Sequence, residues 1–234
     1  MRVAPLTLAL VLLLGAPALA ETSDAFPPAI SVTGEASISV PPDLAFVDAG
    51  VATDAKTARE ASENNNTAMA KVLAALKAAN MDARDIQTSR LSLQPQYAPN
   101  RGGPAPIVGY RASNRVTVRI HDVSKVGGTI DTLVGAGAND IGNVAFAVSQ
   151  ASKLLDDARE KAVADARRKA EMYAKAAGVT LGAPLSISEE SRPQPVFRGK
   201  LAAPMAAAAP TPIAQGEETL SVSVSVTWAI KQGQ

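Results

Sequence analysis

The first alternating pattern in the chain is ISVTGEASISV, residues 30–40, in which small or apolar residues occupy every second position. This period predicts a strand with one buried face, and Gly34 within it permits a bulge or close packing. The Pro41-Pro42 pair cannot donate to a strand ladder, so we expect the strand to end there. Alternation resumes over residues 44–53, which predicts a second strand antiparallel to the first. The pattern therefore indicates an opening hairpin.

Three segments have the period of amphipathic helices. The first begins at the capping box TARE, residues 57–60, and ends before Asn80, a residue suited to a left-handed stop. A short helix is predicted for residues 123–134 and the longest helix for residues 152–177, each followed by glycine. The predicted buried stripe of the longest helix is mostly alanine, so its backbone can approach a sheet closely. This stripe consists of Leu155, Ala158, Ala162, Ala166, Ala170, Tyr173 and Ala177.

The remaining alternating segments predict five further strands. They are residues 86–97, 107–121, 144–148, 181–189 and 220–230. The element order is then ββαββαβαββ, which predicts an α+β fold of mainly antiparallel sheets packed by helices. The length fits one large domain or two small, intertwined α/β subdomains that share a core. Two Pro-rich segments are predicted to be a mobile loop or partner surface, residues 94–106, and an extended insertion, residues 191–216.

The beginning of the chain has the pattern of a secretory signal peptide. Residues 1–20 combine one basic residue, a short apolar core and a small-x-small ending, so we expect cleavage after Ala20. The apolar core is too short to span a bilayer comfortably. We expect residues 21–29 to be a flexible N-terminus, residues 30–230 to form the folded domain and residues 231–234 to be a short tail.

Composition limits the classes of partner. The chain has 23 basic and 22 acidic residues, a balance that does not favour nucleic acid or an anionic membrane as a partner. An exported chain without cysteine has no disulfides, so we expect its stability to come from its core and from oligomerisation. The bacterial periplasm or an outer-membrane association fits these properties. No later segment is apolar for long enough to predict a transmembrane helix in the mature chain.

The fourth predicted strand carries three arginines on one face. Arg111, Arg115 and Arg119 alternate with apolar residues, so their guanidinium groups should point to the same side of the sheet. Such a row can bind an anionic small molecule or an acidic peptide. It can also be a solvated sheet face whose arginines pair across strands with residues such as Glu35. Both interpretations are open at the level of sequence.

Other candidate chemistry is weaker. His121 is the only histidine and precedes Asp122, which could orient its imidazole in a hydrolase, but no nucleophile motif accompanies the pair. The glycine-rich stretch at residues 135–142 follows a predicted helix and lacks the features of a phosphate loop, so it is interpreted as a turn. Glu35 and Asp43 are interpreted as structural, with Asp43 accepting backbone amides in the turn. We predict no catalytic, metal-binding or cofactor-binding residue.

An ordered series of short motifs resembles the SIMPL-domain family of bacterial envelope proteins. Each motif is weak alone, but the series is specific and spans residues 30–230. The motifs include VTGE at 32–35, TAREA at 57–61, DIQT at 85–88, LQPQY at 93–97, GYRAS at 109–113 and GANDI at 137–141. The resemblance implies an exported α+β protein of the periplasm or outer membrane, immunogenic in some members, that forms ring-like or channel-like homo-oligomers. It also implies an association with oxidative and envelope stress, and it implies no catalytic residue or cofactor.

Three functional hypotheses follow. The first is a non-enzymatic envelope protein whose oligomeric assembly is its function, as a scaffold or stress-protective factor. The second is a periplasmic binding module that uses the arginine face. The third, a hydrolase that uses His121 and Asp122, has the least support in the sequence.

Overall fold

The computed structural model describes residues 27–99, 105–190 and 211–232. The element order within these ranges is ββαββαβαββ, which confirms the predicted α+β class. The strands are β1 (Ala29–Val40), β2 (Leu44–Ala55), β3 (Ile86–Tyr97), β4 (Ile107–Ile120), β5 (Asp140–Ala147), β6 (Val179–Glu190) and β7 (Glu218–Gln232). The helices are α1 (Ala58–Ala78), α2 (Val126–Gly135) and α3 (Ala151–Ala176). The predicted signal peptide with its cleavage site at Ala20, and most of the insertion at residues 191–216, lie outside the described ranges.

The strands form two antiparallel sheets, with the orders β1-β7-β6 and β3-β4-β2-β5. The predicted opening hairpin is wrong, because β1 pairs with β7 while β2 pairs with β4 and β5. Only residues 41–43 separate β1 from β2. The two prolines remove the backbone donors that a hairpin turn would use, and the chain crosses to the second sheet.

One sheet packs with α3 and the other with α1 and α2, and each has its own buried cluster. We call β1, β6, β7 and α3 the terminal lobe, and β2 to β5 with α1 and α2 the central lobe. The described apolar residues form one cluster in each lobe, so the two subdomains do not share one core. The chain nevertheless crosses between them twice, through residues 41–43 and 148–150, which gives the intertwined arrangement.

The terminal lobe is built on an alanine stripe. Helix α3 buries alanines at every fourth position, and these methyl groups pack on the valines of β7 and on Trp228. Gly34 of β1 lies directly beneath Ala162 and Ala166, which confirms the close packing that its sequence context permitted. The stripe continues through Ala174 and leaves Tyr173 and Ala177 exposed, so both were wrongly assigned to it. The buried alanines keep a spacing of four from Ala158 to Ala174, and Tyr173 and Ala177 fall outside this spacing.

The central lobe packs α1 and α2 on one face of its sheet. The predicted capping box is present, with the Thr57 hydroxyl accepting a hydrogen bond from the backbone of Glu60 at 3.2 Å. Asn80 follows α1 with a φ of 59°, the left-handed stop that was predicted. Asn65 is 1% exposed, and its side-chain amide donates hydrogen bonds to the carbonyl oxygens of Val51 and Ala112 at 2.8 and 3.1 Å. This buried amide fastens α1 to both central strands.

Contacts at two places among the described residues join the lobes. Asp43 accepts hydrogen bonds from the backbone N–H and the hydroxyl of Ser149, at 2.7 and 2.6 Å, and so joins the two crossing segments. These bonds lower the pKa of Asp43, the side-chain bond contributing most. The end of the long insertion makes the second contact: Ile213 packs on the buried cluster of the central lobe, and the Thr211 hydroxyl donates to Asp131 of α2 at 2.8 Å. Residues 211–213, which precede β7 in the chain, therefore lie against the central lobe.

Candidate functional site

The arginine row of β4 lies on the face of the central sheet that carries no helix. Each of the three predicted residues forms an ion pair with an aspartate. Arg111 holds Asp54 through two hydrogen bonds of 2.8 Å, Arg115 contacts Asp140 at 2.6 Å, and Arg119 contacts Asp85 at 2.7 Å. The row is therefore a ladder of alternating charges across neighbouring strands and loops.

This pairing neutralises the row. An anionic ligand would have to compete with carboxylates already in place, so the geometry favours the interpretation of the row as a solvated sheet face. Binding of an anionic ligand stays a prediction for Arg111, Arg115 and Arg119. The proposed partner Glu35 was wrong, because Glu35 belongs to the sheet of the terminal lobe.

His121 contacts a different carboxylate from the one expected. Its Nε2 lies 3.1 Å from Asp85, which is shared with Arg119. Asp122 instead accepts hydrogen bonds from the backbone and hydroxyl of Ser124 and caps a short 3-10 turn. The expected His121–Asp122 pair is therefore absent within the described part of the chain, because the capping role occupies Asp122.

Three carboxyl groups in or near this network, those of Asp54, Asp82 and Asp85, have lowered pKa values. The hydrogen bond from Arg119 is the main cause of the lowered pKa of Asp85, and the bond from Arg111 is the main cause for Asp54. Nearby, Arg84 lowers the pKa of Asp82 to about 2. A carboxyl group whose pKa is lower in the folded than in the unfolded chain stabilises the fold above its unfolded pKa, and this contribution is lost as the pH falls through the folded pKa.

Acid should therefore lower the melting temperature, starting below about pH 4, where unfolded aspartates begin to take up protons.

Asp85→Asn should lower the melting temperature at pH 7 and reduce the difference between pH 7 and pH 3, because the variant has already lost the charge of this carboxylate. Thermal unfolding followed by circular dichroism from pH 7 to pH 2 measures both effects. Glu63→Gln is the control, since its 3.7 Å pair with Arg59 is largely exposed and should contribute little. Parallel pH curves for Asp85→Asn and the wild type would contradict the expectation.

The two acidic residues of the first segment are not brought together. Asp43 lies at the crossing between the lobes, whereas Glu35 lies on the open face of the terminal sheet, where Ser223 separates it from Glu190. A shallow depression of about 540 Å³ is lined there by Glu35, Ser37, Glu190, Ser221 and Ser223. Cross-strand hydroxyl pairs such as Ser31 with Thr227 continue this face. Across the described ranges, no group of three or more His, Cys, Asp or Glu residues is placed to hold a metal ion.

Sequence reasoning missed the exposed apolar surface of the β3–β4 hairpin. Helix α1 covers the two central strands and leaves the helix-side face of β3 open, so Leu91 is 71% exposed and Leu93 is 47% exposed. Tyr97, Ile107 and Val108 are also exposed near the hairpin end. Leu73 and Met81 line a groove of about 460 Å³ between α1 and β3. The alternation of β3 revealed a strand but carried no signal of which helix would cover it.

Comparison with known proteins identifies the family. The family model SIMPL, described as a protein of unknown function (DUF541), matches residues 30–228. The chain belongs to the SIMPL family. A SIMPL relative from Brucella melitensis, the 26 kDa periplasmic immunogenic protein, is 42% identical over 215 residues, which cover 88% of this chain and 86% of the relative.

Two other relatives are both named uncharacterized protein YggE. The protein from Edwardsiella ictaluri is 31% identical over 182 residues, covering 76% of each chain. The protein from Escherichia coli K12 is 29% identical over 196 residues, covering 82% of this chain and 79% of the relative. These SIMPL names state no reaction and no ligand. In the described part of the SIMPL chain, none of the helices has the length and apolar character to span a membrane.

Proposed function

We propose that this chain is an exported, non-enzymatic envelope protein that acts as a ring- or channel-like homo-oligomer, as a scaffold or stress-protective factor. The predicted signal peptide and the word "periplasmic" in the name of the Brucella relative support export to the periplasm. The proposal also includes a location at the outer membrane and a role in oxidative stress, and both rest on the family resemblance.

The exposed hairpin carries the proposal of assembly. Leu91, Leu93, Tyr97, Ile107 and Val108 are all about half exposed or more, and they lie on one pair of neighbouring strands. A group of large apolar side chains that the chain itself leaves uncovered is characteristic of a protein–protein contact. A contact that buries this hairpin in a second copy would remove the apolar surface from water.

The charged residues support a role without catalysis. The arginines that could have formed a site hold aspartates, and the only histidine shares the carboxylate of Asp85 with Arg119. These groups already satisfy one another across strands and loops, which is the arrangement of a stabilised sheet face.

The variant Leu91→Ser/Leu93→Ser tests the proposed assembly. Because both side chains are exposed, the double substitution should leave the folded lobes intact while it removes apolar contact area. We expect multi-angle light scattering of the mature protein to show an oligomer for the wild type and a large shift towards monomer for the variant.

The control is Met172→Ser, which removes an apolar side chain from α3 whose exposure lies between those of Leu91 and Leu93. It should assemble as the wild type does. A monomeric wild type at micromolar concentration would contradict the proposed function. An oligomer unaffected by the double substitution would show that the hairpin is not the contact.

A further inference from the structure

Each sheet has two edge strands, and the four edges differ in how readily a further strand could pair with them. An open edge presents unpaired N–H and C=O groups that can pair with another chain. The β1 edge is occupied by α3: Asp165 accepts a hydrogen bond from the backbone of Glu35 at 3.2 Å, and Lys169 donates to the carbonyl oxygen of Thr33 at 2.9 Å. The β5 edge is short and its pairing is bulged.

The β3 and β6 edges are as long as the β1 edge and more open. Each strand has twelve residues, and within the described ranges no hydrogen bond reaches the outer side of either. Pro95 in β3 and Pro184 in β6 limit the usable segments, because proline has no N–H to donate. The segments available for pairing are residues 86–94 of β3 and residues 185–190 of β6.

The β3 segment has an apolar side and a basic side. Leu91 and Leu93 are opposite Asn114 and Ala112 of β4 and so lie on the helix side of the sheet. Arg90 is opposite Arg115 and therefore lies on the open side. Arg115 is paired with Asp140, but Arg90 forms no ion pair with any described residue. The edge thus presents leucine on one side and an uncompensated positive charge on the other.

The β6 segment has the complementary pattern. Ile187 is opposite Val226, a residue buried under α3, so it lies on the helix side, where it is 59% exposed. Leu185 is also about half exposed, because α3 lies over β1 and β7 and leaves β6 largely uncovered. Glu190 is opposite Ser223 on the open side and forms no ion pair within the described part of the chain. Glu189 shares the helix side, opposite Val224, and is neutralised by Arg159 of α3. This edge thus presents two apolar residues on the helix side and an unpaired negative charge on the open side.

We propose that β3 of one copy pairs with β6 of the next copy and joins the central sheet of the first to the terminal sheet of the second. In antiparallel register, with Arg90 opposite Glu190 on the open side, this pairing places Leu93 opposite Ile187 on the helix side and Leu91 diagonal to Ile187. The proposal rests on the proposed homo-oligomer and specifies its contact as strand addition between two different edges.

Charge favours this pairing over pairing of identical edges. Two β3 strands would bring unpaired arginines into one sheet face, and two β6 strands would do the same with glutamates. A contact between two different surfaces propagates head to tail, so it produces a closed ring or an open filament instead of a simple dimer.

Cysteine cross-linking tests the pairing, since the natural chain has no cysteine. Ser92 and Ser188 both lie on the open side of the two edges, opposite Ser113 and Ser225. The double variant Ser92→Cys/Ser188→Cys, treated with a short bismaleimide, should give a ladder of covalent dimers, trimers and longer species on denaturing gels. The single variants Ser92→Cys and Ser188→Cys should stay uncross-linked, because each contact then holds only one cysteine.

The outcomes separate this proposal from the proposed function. Covalent dimers of either single variant would overturn it in favour of pairing between identical edges. An oligomer in light scattering without cross-linking of the double variant would also overturn it, while the proposed oligomeric function would stand. A monomeric wild type would overturn both.

A charge exchange gives an independent readout. Arg90→Glu and Glu190→Arg should each raise the protein concentration at which half of the chains are assembled. The double variant Arg90→Glu/Glu190→Arg should restore assembly, since the pair is then reversed. The control Arg59→Glu makes the same change in charge on an exposed part of α1 and should have little effect. Failure of the double variant to recover would contradict the pairing of these two residues.

Discussion

Replacing Gly34 by alanine should lower the free energy of unfolding by about 3 kcal/mol, the upper end of the cost of inserting one group into a packed interior. A Cβ at this position would overlap the backbone of Ala162 and would lie 2.7 Å from the Cβ of Ala166. Backbone atoms cannot rotate away as a flexible side chain can, so α3 would have to move off β1. Urea unfolding measures the change, and a loss below about 1 kcal/mol would contradict this packing.

The matched control is Gly128→Ala. Gly128 lies within α2, and a Cβ there would meet no atom within 4 Å. Both substitutions restrict the unfolded chain in the same way, so their difference isolates the contact at Gly34. The control should raise the free energy of unfolding, by up to about 1 kcal/mol, because alanine favours a helix over glycine.

Replacing Asn65 by leucine should lower the free energy of unfolding by about 2 kcal/mol, because the hydrogen bonds to two buried carbonyl oxygens are lost without replacement. Leucine has a similar size, so the substitution tests hydrogen bonding more than cavity formation. Asn65 contacts Val51 of β2 and Ala112 of β4, and we expect the central lobe to be the part that loosens. Urea unfolding and hydrogen exchange of β2 and β4 measure the two effects.

Asn66→Leu provides the control for this prediction. Asn66 is the next residue of α1 and is exposed. Leucine has the higher helix propensity, so this variant should match the wild type or gain a few tenths of a kcal/mol. Equal stability of Asn65→Leu and Asn66→Leu would show that the buried amide does not hold the helix to the sheet.

The order of elements could be predicted because each element carries a local signal. The capping box at Thr57, the left-handed stop at Asn80 and the alternation of β7 between valine and serine each depend on a few neighbouring residues. The same pattern does not specify which strands pair, because any two alternating strands can present an apolar face. For this reason the opening hairpin was wrong, although both of its strands are present.

The environment of individual residues depends on tertiary contacts that the sequence does not encode locally. The arginine row was predicted from alternation, but Asp54, Asp85 and Asp140 come from three different parts of the chain. Asn65 lies on the buried stripe of α1 between Ala61 and Met69. Because asparagine is polar, the hydrophobic pattern did not predict that it is buried and bonded to the sheet. The open edges of β3 and β6 could not be predicted, because they follow from the order of the strands in each sheet and from where α1 and α3 lie on them.

The central proposal is that this chain works as a closed assembly in which β3 of one copy pairs with β6 of the next. The number of chains in one assembly is its most direct test. Native mass spectrometry of the mature protein, supported by electron micrographs of the same sample, measures it. The account predicts one dominant species of at least three copies with the outline of a ring, as a head-to-tail contact that closes requires. A monomer, or a dimer that does not grow with concentration, would contradict it.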